Sequence, residues 1–264
     1  MISPLVTDNR ILLSFDVEEF DLPLEYGHAI PMVDQMRATA QGLEIVLALV
    51  DRLGVTATFF TTACFAVRHP DLVRRIAVRH EVASHGLAHS HFVETDLVES
   101  RRTLEEIVGR PVLGFRRPRL RFTDPDLVAR AGYLYDSSEN PIWLPGRYNN
   151  LFRKRTVSRS GNLWNIPVSA TPWVRIPLFW LSFKNLPFAA IKAATAWTLS
   201  RDSYLNIFYH PWEFLDLTAY RVPWFVKRIH GADLERRLET YLRWLMSRGR
   251  FISFSAFAGL PSLS

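Results

Sequence analysis

Short apolar runs alternate with amphipathic stretches along most of this chain. Ile11 to Phe15 is a run of strand character without polar alternation, as expected of a strand buried on both faces. Between residues 34 and 53, Leu43, Val46, Leu47, Leu49, Val50 and Leu53 recur at helical spacing and stop at Gly54, which predicts a helix with a glycine stop. Strand-like runs follow at 55–61, 81–85, 112–115 and 133–135. Between them the pattern predicts helices over 70–79, opened by Pro70, over 97–108, stopped by Gly109, and over 124–131, capped by Asp124 with Pro125 next. This alternation argues for parallel β/α units, hence an open α/β sheet or a barrel. From 137 to 175 prolines break the pattern. A strand over 204–209, a helix over 233–248 and a strand over 251–257 then resume it. The reading is one domain over 1–264 with an irregular, aromatic-rich insertion at about 137–200.

The polar residues of interest fall where the strands end. Ligands and catalytic groups collect at the carboxyl ends of strands in such folds. Asp16 and Glu18 follow the first strand and, two apart on extended backbone, project to one side. Alone they could be a solvated acidic loop. His85 and His89 follow the third strand, and four residues apart they share a face of a helical turn, with imidazole a common ligand of zinc-like metals. A catalytic zinc needs about three protein ligands and an open position, so Glu18 or Asp16 is the third candidate, leaving the other carboxylate to take a proton. Arg116 follows the fourth strand and can orient a carboxylate. Asp136 follows the fifth. His210 follows the late strand, where it can protonate a leaving amine while a carboxylate such as Asp136 holds its tautomer. Each has a bland reading as a cap, salt bridge or structural histidine. Their joint placement after five separate strands favours a site.

Composition narrows the partners. The 264 residues are 48% hydrophobic, enough for one large core, with a formal charge of +6. No run of five or more Lys/Arg occurs, which argues against nucleic acid. The single cysteine, Cys64, excludes an intramolecular disulfide framework and reads as a small core residue. No export signal or clear membrane-spanning run is visible, so the expectation is a cytoplasmic protein.

Taken together, Asp16-Val17-Glu18, His85-x-x-x-His89, Arg116-Arg117-Pro118, Asp136 and His210 resemble the motifs of the NodB-homology polysaccharide deacetylases (carbohydrate esterase family four), in order, from about 11 to 257. The spaced Asp-x-Glu form is similar to the branch holding peptidoglycan deacetylases and the lipid-linked formyl-aminoarabinose deformylase. The resemblance implies a distorted seven-stranded (β/α) barrel. It also implies Asp16 as base, Glu18, His85 and His89 as ligands of a divalent metal (zinc, or cobalt or manganese), Arg116 orienting the base, and His210 as acid supported by Asp136. Arg119, Arg147, Tyr148 and Trp212 are the candidate substrate-binding residues. The implied reaction removes an acetyl or formyl group from an amino sugar, with peptidoglycan or another polysaccharide as the alternative substrate and a non-catalytic binding protein as the alternative class.

Between 173 and 199, Trp173, Phe179, Trp180, Phe183, Phe188 and Trp197 are interleaved with Arg175, Lys184 and Lys192. Aromatic residues beside basic ones suit an anionic membrane surface, and a core-packing insertion suits them equally. The first option would fit a polyprenyl-phosphate-linked sugar, with the protein peripheral to the inner membrane.

Overall fold

β1 (Arg10–Val17) runs between two parallel neighbours, and every residue after Arg10 is buried. The computed structural model describes residues 8–144 and 147–260, so the Pro145-Gly146 pair of the proline-broken region lies outside the described residues. After β1 come α1 (Met32–Leu53), β2 (Thr58–Thr61), α2 (Ala63–Arg68), α3 (Pro70–Arg79), β3 (Glu81–Ser84), α4 (Asp96–Val108), β4 (Gly114–Phe115), α5 (Pro125–Arg130) and β5 (Tyr135–Asp136). The expected insertion holds the hairpin of β6 (Trp143–Leu144) and β7 (Tyr148–Asn149), the hairpin of β8 (Ser158–Ser160) and β9 (Leu163–Asn165), then α6 (Trp180–Asn185) and α7 (Phe188–Asp202). β10 (Tyr204–Tyr209), α8 (Gly231–Met246), β11 (Arg250–Phe251) and α9 (Phe254–Phe257) end the fold.

Among the described residues seven strands pair in parallel in the order β10-β1-β2-β3-β4-β5-β9, with β8 antiparallel at one edge and β11 beside β1. The sheet curls. Its inner side packs Leu12, Phe60, Ala83, Tyr135, Ile166 and Phe254 together, and its outer side packs Ile11, Leu13 and Phe15 among the helices. Between β9 and β10 a side chain replaces the ladder. Asn206 Nδ2 donates to the carbonyls of Ile166 and Pro167 and to Ser137 Oγ, and Ser169 N donates to the Asn206 carbonyl. A distorted β/α barrel is the observed architecture.

One expectation needs correction, and one of two open readings gains support. The last segment, 251–257, is not one strand. It turns after Phe251 into α9, capped by Ser253, and Phe254 packs edge-on against Phe60 at 5.2 Å, filling the curl from below. The aromatic stretch 173–199 is mostly interior: Phe179 and Phe183 are buried, Phe188 packs on Tyr241, and Lys184 is fully buried. Of its six aromatics only Trp173 is exposed, at 85%. A helical stretch that is apolar nearly all round is a buried one. No helix among the described residues is long and apolar enough to cross a membrane.

Candidate active site

Strand parity puts Leu12, Ser14 and Asp16 on the inner side of the curl, so Asp16 emerges at the carboxyl end of β1 above a packed interior. It is buried there beside a fully buried arginine from the end of β4. Arg116 Nη1 donates to Asp16 Oδ1 at 2.6 Å and to Ser14 Oγ at 2.9 Å. Nε and Nη2 of Arg116 are spent on the Ser137 carbonyl and hydroxyl, and the guanidinium lies 4.0 Å from the Phe60 ring centre. Each guanidinium nitrogen has a partner, so Asp16 Oδ1 is held in place and Oδ2 is left for chemistry.

Glu18, His85 and His89 converge on one point. Glu18 Oε2 lies 3.1 Å from His85 Nε2 and 3.1 Å from His89 Nε2, and the ligand-type atoms of the three all lie within 4.8 Å of one another. Two imidazole nitrogens and a carboxylate oxygen facing a shared point form a donor set suited to a zinc-like cation. His89 Nδ1 rests 2.8 Å from Asp21 Oδ1, and Glu19 accepts the His89 backbone N–H at 3.1 Å. A carboxylate behind a ligating histidine fixes its tautomer and ring direction. Burial raises the Glu18 pKa, but His89, His210 and His85 outweigh it and hold the carboxyl below the usual range. Burial works against a charged His89 ring, yet Glu18 and Asp21 push its pKa up to about 9.

His210 enters from the end of β10, with Nε2 3.7 Å from Glu18 Oε1. Its support differs from the expected one. Asp136 does not reach it: β5 directs that carboxylate back to Ser138, whose N–H and hydroxyl both donate to Oδ1, and burial raises its pKa to about 7. Glu213 takes the place instead. Its Oε1 is 2.9 Å from His210 Nδ1 and accepts the His210 backbone N–H at 2.8 Å, because a one-turn helix after Pro211 folds residue 213 back onto 210. Glu213 Oε2 in turn pairs with Lys184 Nζ at 2.7 Å, with both side chains fully buried. Lys184, Asp21 and Glu213 escape a reading of strand ends. Glu213 alone left a trace, an acid three residues after its partner with proline at the first position.

Trp212, expected to bind substrate, is buried; its ring stacks on His210 at 5.0 Å and Nε1 donates to Glu18 Oε1 at 3.4 Å, so it braces those two side chains. Arg119 reaches Asp21 at 3.2 Å and Glu25 at 2.6 Å, and Tyr148 donates to the Arg119 carbonyl at 3.1 Å. Asp16, Glu18, His89, His210, Arg119, Arg147, Tyr148 and Trp212 all line one narrow cleft. Cys64 is half-buried and outside it, its thiol raised to about 11 by burial and by Glu19.

Residues 11–135 match the family model described as polysaccharide deacetylase. No curated protein matches the sequence. Among solved structures the chain is similar to a candidate polysaccharide deacetylase from Mycobacterium smegmatis, at 21% identity and TM-score 0.64, covering 98% of this chain and 92% of that one. It is also similar to PuuE allantoinase, at 20% identity and TM-score 0.62 over 97% and 91% of the two chains. A third is a candidate polysaccharide deacetylase from Pseudomonas aeruginosa PAO1, at 18% identity and TM-score 0.61 over 95% and 89%. At such identities the likeness speaks for the fold. Residues 11–135, which carry Asp16, Glu18, His85, His89 and Arg116, match the polysaccharide deacetylase family model, and the solved structures share the fold over nearly the whole chain.

Proposed function

We propose that this chain is a divalent-metal-dependent amide hydrolase that removes an N-acyl group, acetyl or formyl, from an amino sugar. The observation that carries this is one cleft lined by a carboxylate–imidazole cluster, an arginine-held carboxylate and a carboxylate-held histidine. Glu18 Oε2, His85 Nε2 and His89 Nε2 would hold the metal, with zinc the best match to the donors and cobalt or manganese as substitutes. When bound, the metal supplies Lewis acidity to a water and to the amide carbonyl, which makes the water a nucleophile near neutral pH. Asp16 takes that water's proton at Oδ2 while Arg116 fixes Oδ1. His210 gives a proton from Nε2 to the departing nitrogen, and Glu213 keeps its Nδ1 protonated and its ring aimed. The products are a carboxylate and a free amino sugar.

The sugar's carrier is a further part of the proposal. Beside the catalytic cleft opens a broader cavity of about 390 Å³ lined by Arg119, Arg121, Phe122, Arg147, Tyr148, Asn149 and Asn150. Three guanidinium groups against one carboxylate, Glu25, suit a sugar carrying phosphate, such as a polyprenyl-phosphate-linked one. An uncharged peptidoglycan-type glycan is the alternative substrate.

The test is metal content by mass spectrometry for wild type and His85→Ala, together with hydrolysis of acetylated and formylated amino sugars, free, polymeric and phosphate-linked. About one metal per chain, lost in the variant, with release of acetate or formate is the expected result. A wild type that takes up no zinc, or that loads it and hydrolyses none of these substrates, refutes the proposal. Hydrolysis of allantoin in their place would reassign the substrate class.

A further inference from the structure

We infer that the loops around the entrance of the site form a docking face for an anionic lipid surface, a face that takes only the first turn, 173–176, of the aromatic stretch that the sequence singled out. Five large aromatic side chains are exposed among the described residues, and four of them lie on three neighbouring segments: Phe122, Trp143, Phe152 and Trp173. Phe152 is 98% exposed. Leu151, Val174 and Ile176 are exposed alongside them.

Specific contacts join the three segments. The Arg153 guanidinium covers the Phe122 ring at 4.7 Å. Arg175 Nη1 donates at 3.4 Å to the carbonyls of both Pro141 and Arg153, and Asn150 N donates to the Ile142 carbonyl at 2.9 Å. The turn bearing Trp173 is also strained, since Trp173 and Arg175 hold φ of 65° and 56°, a left-handed region that bulky residues avoid. Strained backbone that holds an indole out in solvent calls for a function.

Charge identifies the occupant. Residues 119–123, 141–155 and 171–177 contain Arg119, Arg121, Arg147, Arg153, Lys154, Arg155 and Arg175 and no Asp or Glu. Carboxylates from elsewhere meet some of these: Asp21 and Glu25 at Arg119, Glu25 at 3.8 Å from Arg147, Asp202 at Arg155, and Glu139 at 4.0 Å from Arg153. Arg121 and Lys154 have no ion-pair partner among the described residues. Protruding apolar side chains set among unneutralised cations match the headgroup region of an anionic bilayer, where aromatic rings take the interface and Lys/Arg take the surface potential. The patch adjoins the arginine-rich cavity through Phe122, Arg121 and Arg147, so a docked chain would face its cleft towards the headgroups.

Vesicle sedimentation tests this with the full chain, Phe152→Ser/Trp173→Ser, and Trp224→Ser as an exposed control elsewhere. Vesicles of phosphatidylcholine alone and with 30% phosphatidylglycerol are compared at low and high salt. Wild type should bind the anionic vesicles, weaken by roughly tenfold or more in high salt or on neutral vesicles, and lose a similar factor in the double variant, with the control unchanged. No vesicle binding overturns the inference, as does binding that ignores lipid charge or survives the double substitution. Two other results assign the face elsewhere and also overturn it: a dimer in size exclusion that the double variant breaks, or a raised KM for a soluble glycan without vesicle binding. Sedimentation needs no turnover, so its failure leaves the hydrolase reading standing, and an inactive protein that still binds leaves the docking face standing.

Discussion

At the residue scale, the proposed chemistry rests on pairs in which a buried group fixes one atom of its partner and leaves another free. Asp16→Asn keeps the Arg116 contact but cannot accept a proton. It should lower kcat by roughly 10²–10⁴-fold with metal content unchanged, read by parallel activity and metal assays. Lys184 serves the other end of the reaction at one remove. Burial lowers its pKa, which contact with Glu213 partly restores, and Lys184 in turn helps hold Glu213 below the usual carboxylate range. Lys184→Met strands a buried carboxylate, which should cost about 3–5 kcal/mol in urea unfolding and lower kcat more than it raises KM. Asp136 gives a pH signature. Its folded pKa is raised from 3.8 to about 7 by burial, so the native state holds this proton more tightly than the unfolded chain. The stability it contributes is complete below about pH 4 and is lost as pH rises through 7. Asp136→Asn carries no such proton. It should match wild type near pH 4 and exceed it progressively by pH 8, by at most about 4 kcal/mol at roughly 1.4 kcal/mol per unit, in denaturation series at each pH. Asp16, Glu18, His85, His89, Arg116 and His210 were legible in the sequence because acids and imidazoles at the ends of apolar strands demand partners. Asp21, Glu213 and Lys184 were not, because a brace is defined by what it touches, and Lys184 finds Glu213 across 28 residues of intervening chain.

At the element scale, the turn carrying His210, Trp212 and Glu213 is held by close backbone approach. A Cβ on Gly42 of α1 would stand 2.0 Å from the Pro211 carbonyl oxygen, a backbone atom that cannot swing aside. Gly42→Ala should therefore force α1 and this turn apart. It should destabilise by about 1–3 kcal/mol and lower kcat through His210 while metal affinity stays within a few-fold, measured by thermal unfolding, kinetics and metal titration. Helical period and glycine stops made α1, α3 and α4 readable to within two residues. α6 and α7 were hidden by prolines and by lysines that suggested a surface; Lys184 carries its charge into the core, and Lys192 lies over the Phe188 and Trp244 rings. The terminal run 251–257 has strand composition, but Phe254 is needed as a plug, and tertiary packing overrides propensity there.

At the scale of the whole molecule, two imidazoles and one carboxylate facing a shared point would make metal binding a stabilising event. Occupancy at a hundredfold excess over Kd adds about 2.7 kcal/mol to the folded state. Zinc should raise Tm of the wild type by several degrees, a chelator should reverse it, and His85→Ala should show no such shift in differential scanning fluorimetry. Closure of the sheet has an effect of a different kind. Ser137 Oγ accepts from Asn206 at the β9–β10 seam and from Arg116 beside Asp16, and itself donates to the Ile166 carbonyl. One hydroxyl thus belongs both to the clasp of the barrel and to the alignment of the base. During refolding, helical content would return as the β/α units form, whereas turnover would wait for the last strand to dock and turn that hydroxyl into place. Recovery of activity would then time the closing of the ring.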